Sequence, residues 1–214
     1  MHPRKLRILV ADDHTVLRAG LKRLLQDVPE VEDVGEAETA VHAREMLRSG
    51  KWDILLLDLD MPGQNALDVL KGLKVDHPHV AVLILSMYPE EQFGLRSLKA
   101  GASGYLSKDS APDELVAAIR RISEGGAYIS AGLAKALARM SHIGAADPAD
   151  AQLSDREFAV LRGIAAGRSI SQIAKELYLS AKTVSTYRAR VLRRLNLRSN
   201  VELARYAAQQ GIVK

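Results

Sequence analysis

The sequence predicts an α/β protein: a doubly wound, five-stranded parallel sheet joined to a second, smaller all-α domain. Three observations predict it. Short apolar runs alternate with segments of helical period over the first 124 residues, residues 154–211 show helical period alone, and charge changes sign between the two parts. Residues 151–214 carry 12 Lys+Arg against 4 Asp+Glu, whereas residues 1–150 carry 18 against 22. Such a swing between adjacent segments marks two domains with different partners, the basic one facing a polyanion.

Residues 6–11, "LRILVA", predict a first strand, and a helix over 14–27 follows on apolar residues at helical spacing. "VEDVGEAE" (31–38) is a weaker strand, and 40–49 returns to helical period. Residues 53–58, "DILLLD", are too short for a membrane span and too apolar for a solvent-facing strand. They predict a central parallel strand covered on both faces, with Asp58 at its carboxyl end. Strands at 81–86, "AVLILS", and 104–108, "GYLSK", alternate with helices over 65–75, 90–100 and 112–124, and Pro62, Pro78, Pro89 and Pro112 punctuate the boundaries. Five βα units of this kind fold as a parallel sheet with helices on both faces. The first domain is expected to span 1–125. Residues 126–152 read as a linker with one candidate helix over 132–140, ending in the small, polar "SHIGAADPADAQ".

The second domain, 153–214, shows helices over 154–167, 171–178, 180–195 and 200–211. Ser154 and Glu157 make a capping box, and Gly167 can close that helix in a left-handed conformation. In the third helix, 100° per residue puts Val184, Tyr187, Val191 and Leu195 on one face, suited to packing. The opposite face carries Lys182, Thr186, Ala189 and Arg193, flanked by Ser185 and Arg190, with Thr183 near the start and Arg188 and Arg194 nearer the sides. No acid lies between 177 and 201 to pair these arginines along the helix. The outward face therefore suits the major groove of double-stranded DNA, early residues on base edges and arginines on phosphates. Aromatic residues make up only 4% of the chain, which argues against a stacking platform for single strands.

Composition removes other classes. There is no cysteine, so disulfides and thiolate metal sites are excluded. No stretch approaches the roughly 18 consecutive apolar residues of a membrane helix. The start, "MHPRKLRILVADD", shows no secretory cleavage segment, so a cytoplasmic protein with no membrane partner is expected.

Asp12 and Asp13 close the first strand, Asp58 the third, Ser86 the fourth, and Lys108 follows the fifth. In a parallel sheet these ends share one edge, where open α/β sheets bind ligands. Carboxylates crowded there repel one another unless a divalent cation neutralises them, and Mg²⁺ takes such hard oxygen ligands.

"ILVADDHTVLRAGL", "DILLLDLDMPG", "LILSMY" and "SGYLSKD" together resemble the receiver domain of two-component response regulators, a flavodoxin-like fold, over residues 6–124. The resemblance implies that Asp58 accepts a phosphoryl group from a histidine kinase. It implies that Asp12, Asp13, Asp58 and the backbone carbonyl of Asp60 hold Mg²⁺, that Lys108 pairs with a phosphoryl oxygen, and that Ser86 and Tyr105 are the switch pair. "LSDRE", "IAAG", "IAKELYLSAKTV" and "LRRLNL" are similar to the LuxR-type helix-turn-helix domain, and the combination resembles the NarL/FixJ class of transcription regulators. Ser185, Tyr187 and Ile170 stand where that family often has Lys, His and Asn, which bears on base preference. The resemblance also implies a homodimer in the active state through the last helix, where Ala204, Ala207 and Ala208 form a small-residue stripe.

Two other readings compete. "LLLDLDMP" also fits the D-x-D signature of haloacid-dehalogenase-type phosphatases, a metal-dependent reading in which Asp58 is nucleophile and Asp60 general acid, although Met61 and the upstream acidic pair depart from that pattern. A phosphorylation-gated protein-interaction module without DNA binding is the third. The regulator is the reading expected here, and it is not an enzyme.

Overall fold

The structure, a computed structural model, describes residues 5–59, 61, 66–88, 90–142 and 153–213. It divides into two compact units, the first reaching Lys135 and the second beginning at Ala136.

The first unit alternates strand and helix: β1 (Leu6–Ala11), α1 (Thr15–Gln26), β2 (Val31–Ala37), α2 (Ala40–Ser49), β3 (Ile54–Asp58), α3 (Ala66–Asp76), β4 (Ala81–Ser86), α4 (Glu90–Lys99), β5 (Gly104–Ser107) and α5 (Pro112–Ser123). All strand pairs are parallel, in the order β2-β1-β3-β4-β5. The weaker strand expected at 31–38 is therefore present, at the sheet edge. Edge position explains its polar sequence, because one long side has no neighbouring strand to bury it.

Every residue of β3 is buried, as its unbroken apolar run requires. Successive side chains alternate between faces. Ile8, Val10, Ile54, Leu56, Leu83, Leu85 and Leu106 join Leu25 of α1 and Leu115, Ala118, Ile119 and Ile122 of α5 in one core. Fully burying a side chain of this size contributes about 1.5–3 kcal/mol, so β3 is anchored well enough to hold a carboxylate rigidly at its end. Chain order reverses beside β1, which leaves a crevice outside the carboxyl ends of β1 and β3.

The first unit runs past the expected boundary at 125. After α5 the chain turns at Gly125, Tyr128 forms a parallel bridge with Gly104 of β5, and α6 (Ala131–His142) begins at the expected candidate helix. Residues 143–152 of the expected linker lie outside the described residues.

The second unit comprises α7 (Asp155–Ala165), α8 (Ile170–Glu176), α9 (Ala181–Arg194) and α10 (Asn200–Gln209). Each begins on a serine, Ser154, Ser169, Ser180 and Ser199, whose side chain accepts the N–H three residues on. Such a cap contributes about 1 kcal/mol, a large share of what short helices need. Each also ends on a residue of positive φ: Gly167, Tyr178, Asn196 and Gly211. The next N–H then bonds back to a carbonyl of the last turn, as from Leu179 to Ala174, Leu197 to Leu192 and Ile212 to Ala207. Leu153, Phe158, Leu161, Ile173, Val184, Val191, Leu203 and Ile212 fill the core.

Candidate functional site

The strand ends bring the expected cluster together. Asp12 and Asp58 are 1% exposed, and the Lys108 ammonium lies 2.8 Å from a carboxylate oxygen of each. Burial acts to lower the Lys108 pKa, but its hydrogen bonds to Asp12 and Asp58 and their negative charges outweigh that, and the net shift is upward. A permanent cation thus joins β1, β3 and the segment after β5. Asp13 is more exposed, on the rim.

His14 was not anticipated. Its N–H donates to Asp12 Oδ1 at 2.8 Å, and its Nδ1 lies 2.9 Å from Asp13 Oδ1 and 3.2 Å from Asp12 Oδ1. One ligand atom from each of Asp12, Asp13, His14 and Asp58 falls within 4.8 Å of the others. Three hard carboxylates at that spacing fit a divalent cation such as Mg²⁺. Asp60, whose carbonyl the sequence reading adds to the set, lies outside the described residues.

Ser86 ends β4 fully buried, and its hydroxyl accepts the Tyr88 N–H at 3.2 Å. Tyr105 is also fully buried, and its hydroxyl donates to the Tyr88 carbonyl at 2.8 Å. Tyr88, the last residue of the "LILSMY" motif and given no role from sequence, therefore joins the two. Its ring stacks on Phe93 of α4 with centroids 4.7 Å apart. A Tyr in a strand-to-helix loop carries no periodic signal, so spacing alone assigns it no role.

In the second unit, Lys182, Ser185, Thr186, Ala189, Arg190 and Arg193 are exposed on α9, while Val184 and Val191 are fully buried. Tyr187 and Leu195 are only part-buried, and Leu192 joins the core beside them. Thr183 lies 2.8 Å from the capping hydroxyl of Ser180. Arg188 is part-buried, donating to Asn200 Oδ1 at 2.6 Å. Arg194 pairs at 3.2 Å with Glu157, which is 2% exposed and also accepts from Ser154. The arrangement gives Arg194 a structural partner across α7 and α9 that helical spacing along α9 alone conceals.

The small-residue stripe on α10 is corrected at one position. Ala207 is fully buried in its own bundle and offers nothing to a second copy, because the α10 face bearing Leu203 and Ala207 packs inward. Ala204 is part-buried, Ala208 is exposed, and Val201 on the same outer side is 79% exposed.

Comparison with known proteins agrees with this division. Residues 8–120 match the family model of the response regulator receiver domain, and residues 151–207 that of bacterial regulatory proteins of the luxR family. The chain is a response regulator of the NarL/FixJ class. It is 34% identical to response regulator UvrY of Escherichia coli K12 over 209 residues, which cover 97% of this chain and 95% of that one. With response regulator GacA of Pseudomonas aeruginosa it shares 36% identity over 210 residues, covering 97% and 98%. A structure of RcsB from Salmonella enterica serovar Typhimurium, bound to promoter rprA in the presence of a beryllium fluoride phosphomimetic, aligns over 96% of this chain and 99% of that one. Its TM-score is 0.74 at 25% identity. The family is one of phosphorylation-regulated, DNA-binding transcription regulators, and the phosphatase reading is not favoured.

Proposed function

We propose that Asp58 is the phosphoacceptor of this regulator and that α9 reads its DNA. The observation that carries the reading is the Lys108 ammonium held 2.8 Å from both Asp12 and Asp58 at the sheet's ligand-binding edge. A carboxylate oxygen of Asp58 attacks the phosphorus of a kinase phosphohistidine, the P–N bond breaks, and the imidazole leaves with the electron pair. The product is an acyl phosphate, formed once per chain, so the protein is a substrate of transfer and not an enzyme. Phosphoryl transfer of this kind depends on in-line positioning and on charge neutralisation at the equatorial oxygens.

Asp12, Asp13 and Asp58, with the Asp60 carbonyl, would hold Mg²⁺, which when bound neutralises phosphoryl charge. Lys108 is placed to exchange a carboxylate partner for a phosphoryl oxygen. Ser86 and Tyr105 would respond as the switch pair, since a new group of charge near −2 attracts the Ser86 hydroxyl. Lys182, Thr183, Ser185, Thr186, Ala189, Arg190 and Arg193 would face duplex DNA, with Arg188 and Arg194 at the sides. A cognate histidine kinase, a homodimer through α10 and a cytoplasmic location complete the proposal.

Intact mass after incubation with a small phosphodonor and Mg²⁺ tests the acceptor: one phosphoryl group is expected, and none on Asp58→Asn. Stoichiometric labelling that survives in Asp58→Asn would falsify the assignment.

A further inference from the structure

Helix α1 carries no acid: Thr15–Gln26 includes Arg18, Lys22 and Arg23 and nothing on the same helix to pair them. Arg18 and Lys22 stand four residues apart and are neighbours on one helix face, where like charges repel. Glu36, near the end of the edge strand β2, takes both. Its Oε2 lies 2.6 Å from the Lys22 ammonium, and its Oε1 lies 3.6 Å from Arg18 Nε. The Arg18 side chain is only 11% exposed, and its Nη1 donates to the Asp12 carbonyl at 2.6 Å.

That bond completes a set of holds on the turn out of β1. The Asp12 N–H donates to the Ala37 carbonyl at 3.1 Å, the Asp12 carbonyl accepts from Arg18, and Asp12 Oδ1 accepts the His14 N–H at 2.8 Å. The Arg18 N–H in turn donates to the His14 carbonyl at 3.0 Å as α1 begins. Adjacent carboxylates repel one another, and a turn free to move would let them part. A planar guanidinium with one arm toward Glu36 and another on the Asp12 carbonyl resists that movement.

We propose that Arg18, steadied by Glu36, is a positioning residue for the metal site, fixing the Asp12–Asp13 turn at the spacing a divalent cation needs. The inference rests on the reading of Asp12, Asp13 and Asp58 as the residues that hold Mg²⁺. Two effects of Arg18 oppose each other. A guanidinium close to the site repels an incoming cation, so charge alone predicts that removing Arg18 tightens Mg²⁺ binding. Loss of an outer hold on the ligand residues predicts the reverse, and such losses commonly cost about 10- to 100-fold in metal affinity. Glu36 already offsets much of the Arg18 charge, so positioning wins.

The test is the Mg²⁺ affinity of the full chain without a phosphodonor, read from amide chemical-shift titration of the wild type and of variants whose far-UV circular dichroism matches it. Arg18→Ala should weaken Mg²⁺ binding by about tenfold or more. Glu36→Ala should weaken it too, and the double variant should bind no more weakly than Arg18→Ala, because Glu36 acts through Arg18. Charge alone predicts opposite shifts for the two substitutions and cancellation in the double variant. Additive losses overturn the role given to Glu36. Should Arg18→Ala fail to fold, Arg18→Lys keeps the charge but loses the two-armed fork, and it should still weaken binding. Asp13→Asn separates this inference from the reading beneath it. If the wild type and Asp13→Asn bind Mg²⁺ equally, the metal reading fails and this proposal with it. If Asp13→Asn weakens binding while Arg18→Ala, or Arg18→Lys in its place, binds as the wild type does or more tightly, this proposal alone is overturned.

Discussion

Tyr178 stands at φ +53° between α8 and α9, in the position that Gly167, Asn196 and Gly211 fill at the ends of the other three helices of its unit. A left-handed conformation costs a residue bearing a Cβ about 1–2 kcal/mol, and glycine almost nothing. The side chain is 78% exposed, so little burial offsets the strain. Tyr178→Gly should therefore stabilise the C-terminal unit by about 1 kcal/mol, less a few tenths for the flexibility gained by its unfolded chain, and urea unfolding of the full chain measures it. Tyr128 offers a second test at this scale. Burial first, then its hydrogen bond to Glu114 and the charges of Glu114 and Glu90, push its hydroxyl up to about 12. The folded state thus favours the neutral phenol. Its contribution to stability is complete below the ordinary tyrosine range near 10 and is lost as pH rises toward about 12. Absorbance titration of wild type against Tyr128→Phe should reveal this late component, and Glu114→Gln should move it back toward 10.

Neighbouring arginines on α9 separate packing from recognition. Arg193 is exposed on the outer face, while Arg194 pairs with the buried Glu157 that also completes the α7 cap. Arg193→Ala should weaken DNA binding evenly across sequences and reduce the salt slope by about one unit. Arg194→Ala should instead lower the stability of the unit by about 1–3 kcal/mol, because it strips a partner from a buried carboxylate. Salt-dependent DNA titration and urea unfolding distinguish the two. The same pair marks how far the sequence could be read. Strands, helices and the Asp12–Asp58–Ser86–Lys108 edge were legible because burial on both faces imposes an apolar run, and a parallel sheet aligns the ends of such runs. The contacts of Tyr88, Tyr128 and Leu133 were not, because they depend on single long-range partners: a ring stack on Phe93, one bridge to Gly104 and one side chain seated on Gly94. Ala207 was misjudged for a related reason. A helical wheel identifies a small-residue stripe but not which edge of it the helix's own bundle covers.

At the scale of the molecule, the acidic and basic halves seen in composition match two units with separate cores, one holding the carboxylate edge and the other the arginine-bearing helix. A single recognition helix reads too few base pairs for high specificity, so helix-turn-helix proteins commonly pair on two half-sites. With Ala207 committed to the interior, the small or apolar α10 residues that the proposed pairing would use are Val201, Ala204 and Ala208. Val201 is 79% exposed, so a charge there costs the isolated unit little but is desolvated in a close dimer. Val201→Glu should leave the unfolding midpoint and the affinity for a single half-site unchanged. Affinity for DNA carrying two half-sites should fall by about tenfold or more, since pairing two modules ordinarily raises avidity by factors of 10²–10⁴. Parallel titrations of the phosphorylated wild type and variant on both DNAs measure this. If Val201→Glu keeps the full advantage of the double site, the proposed pairing through α10 is wrong.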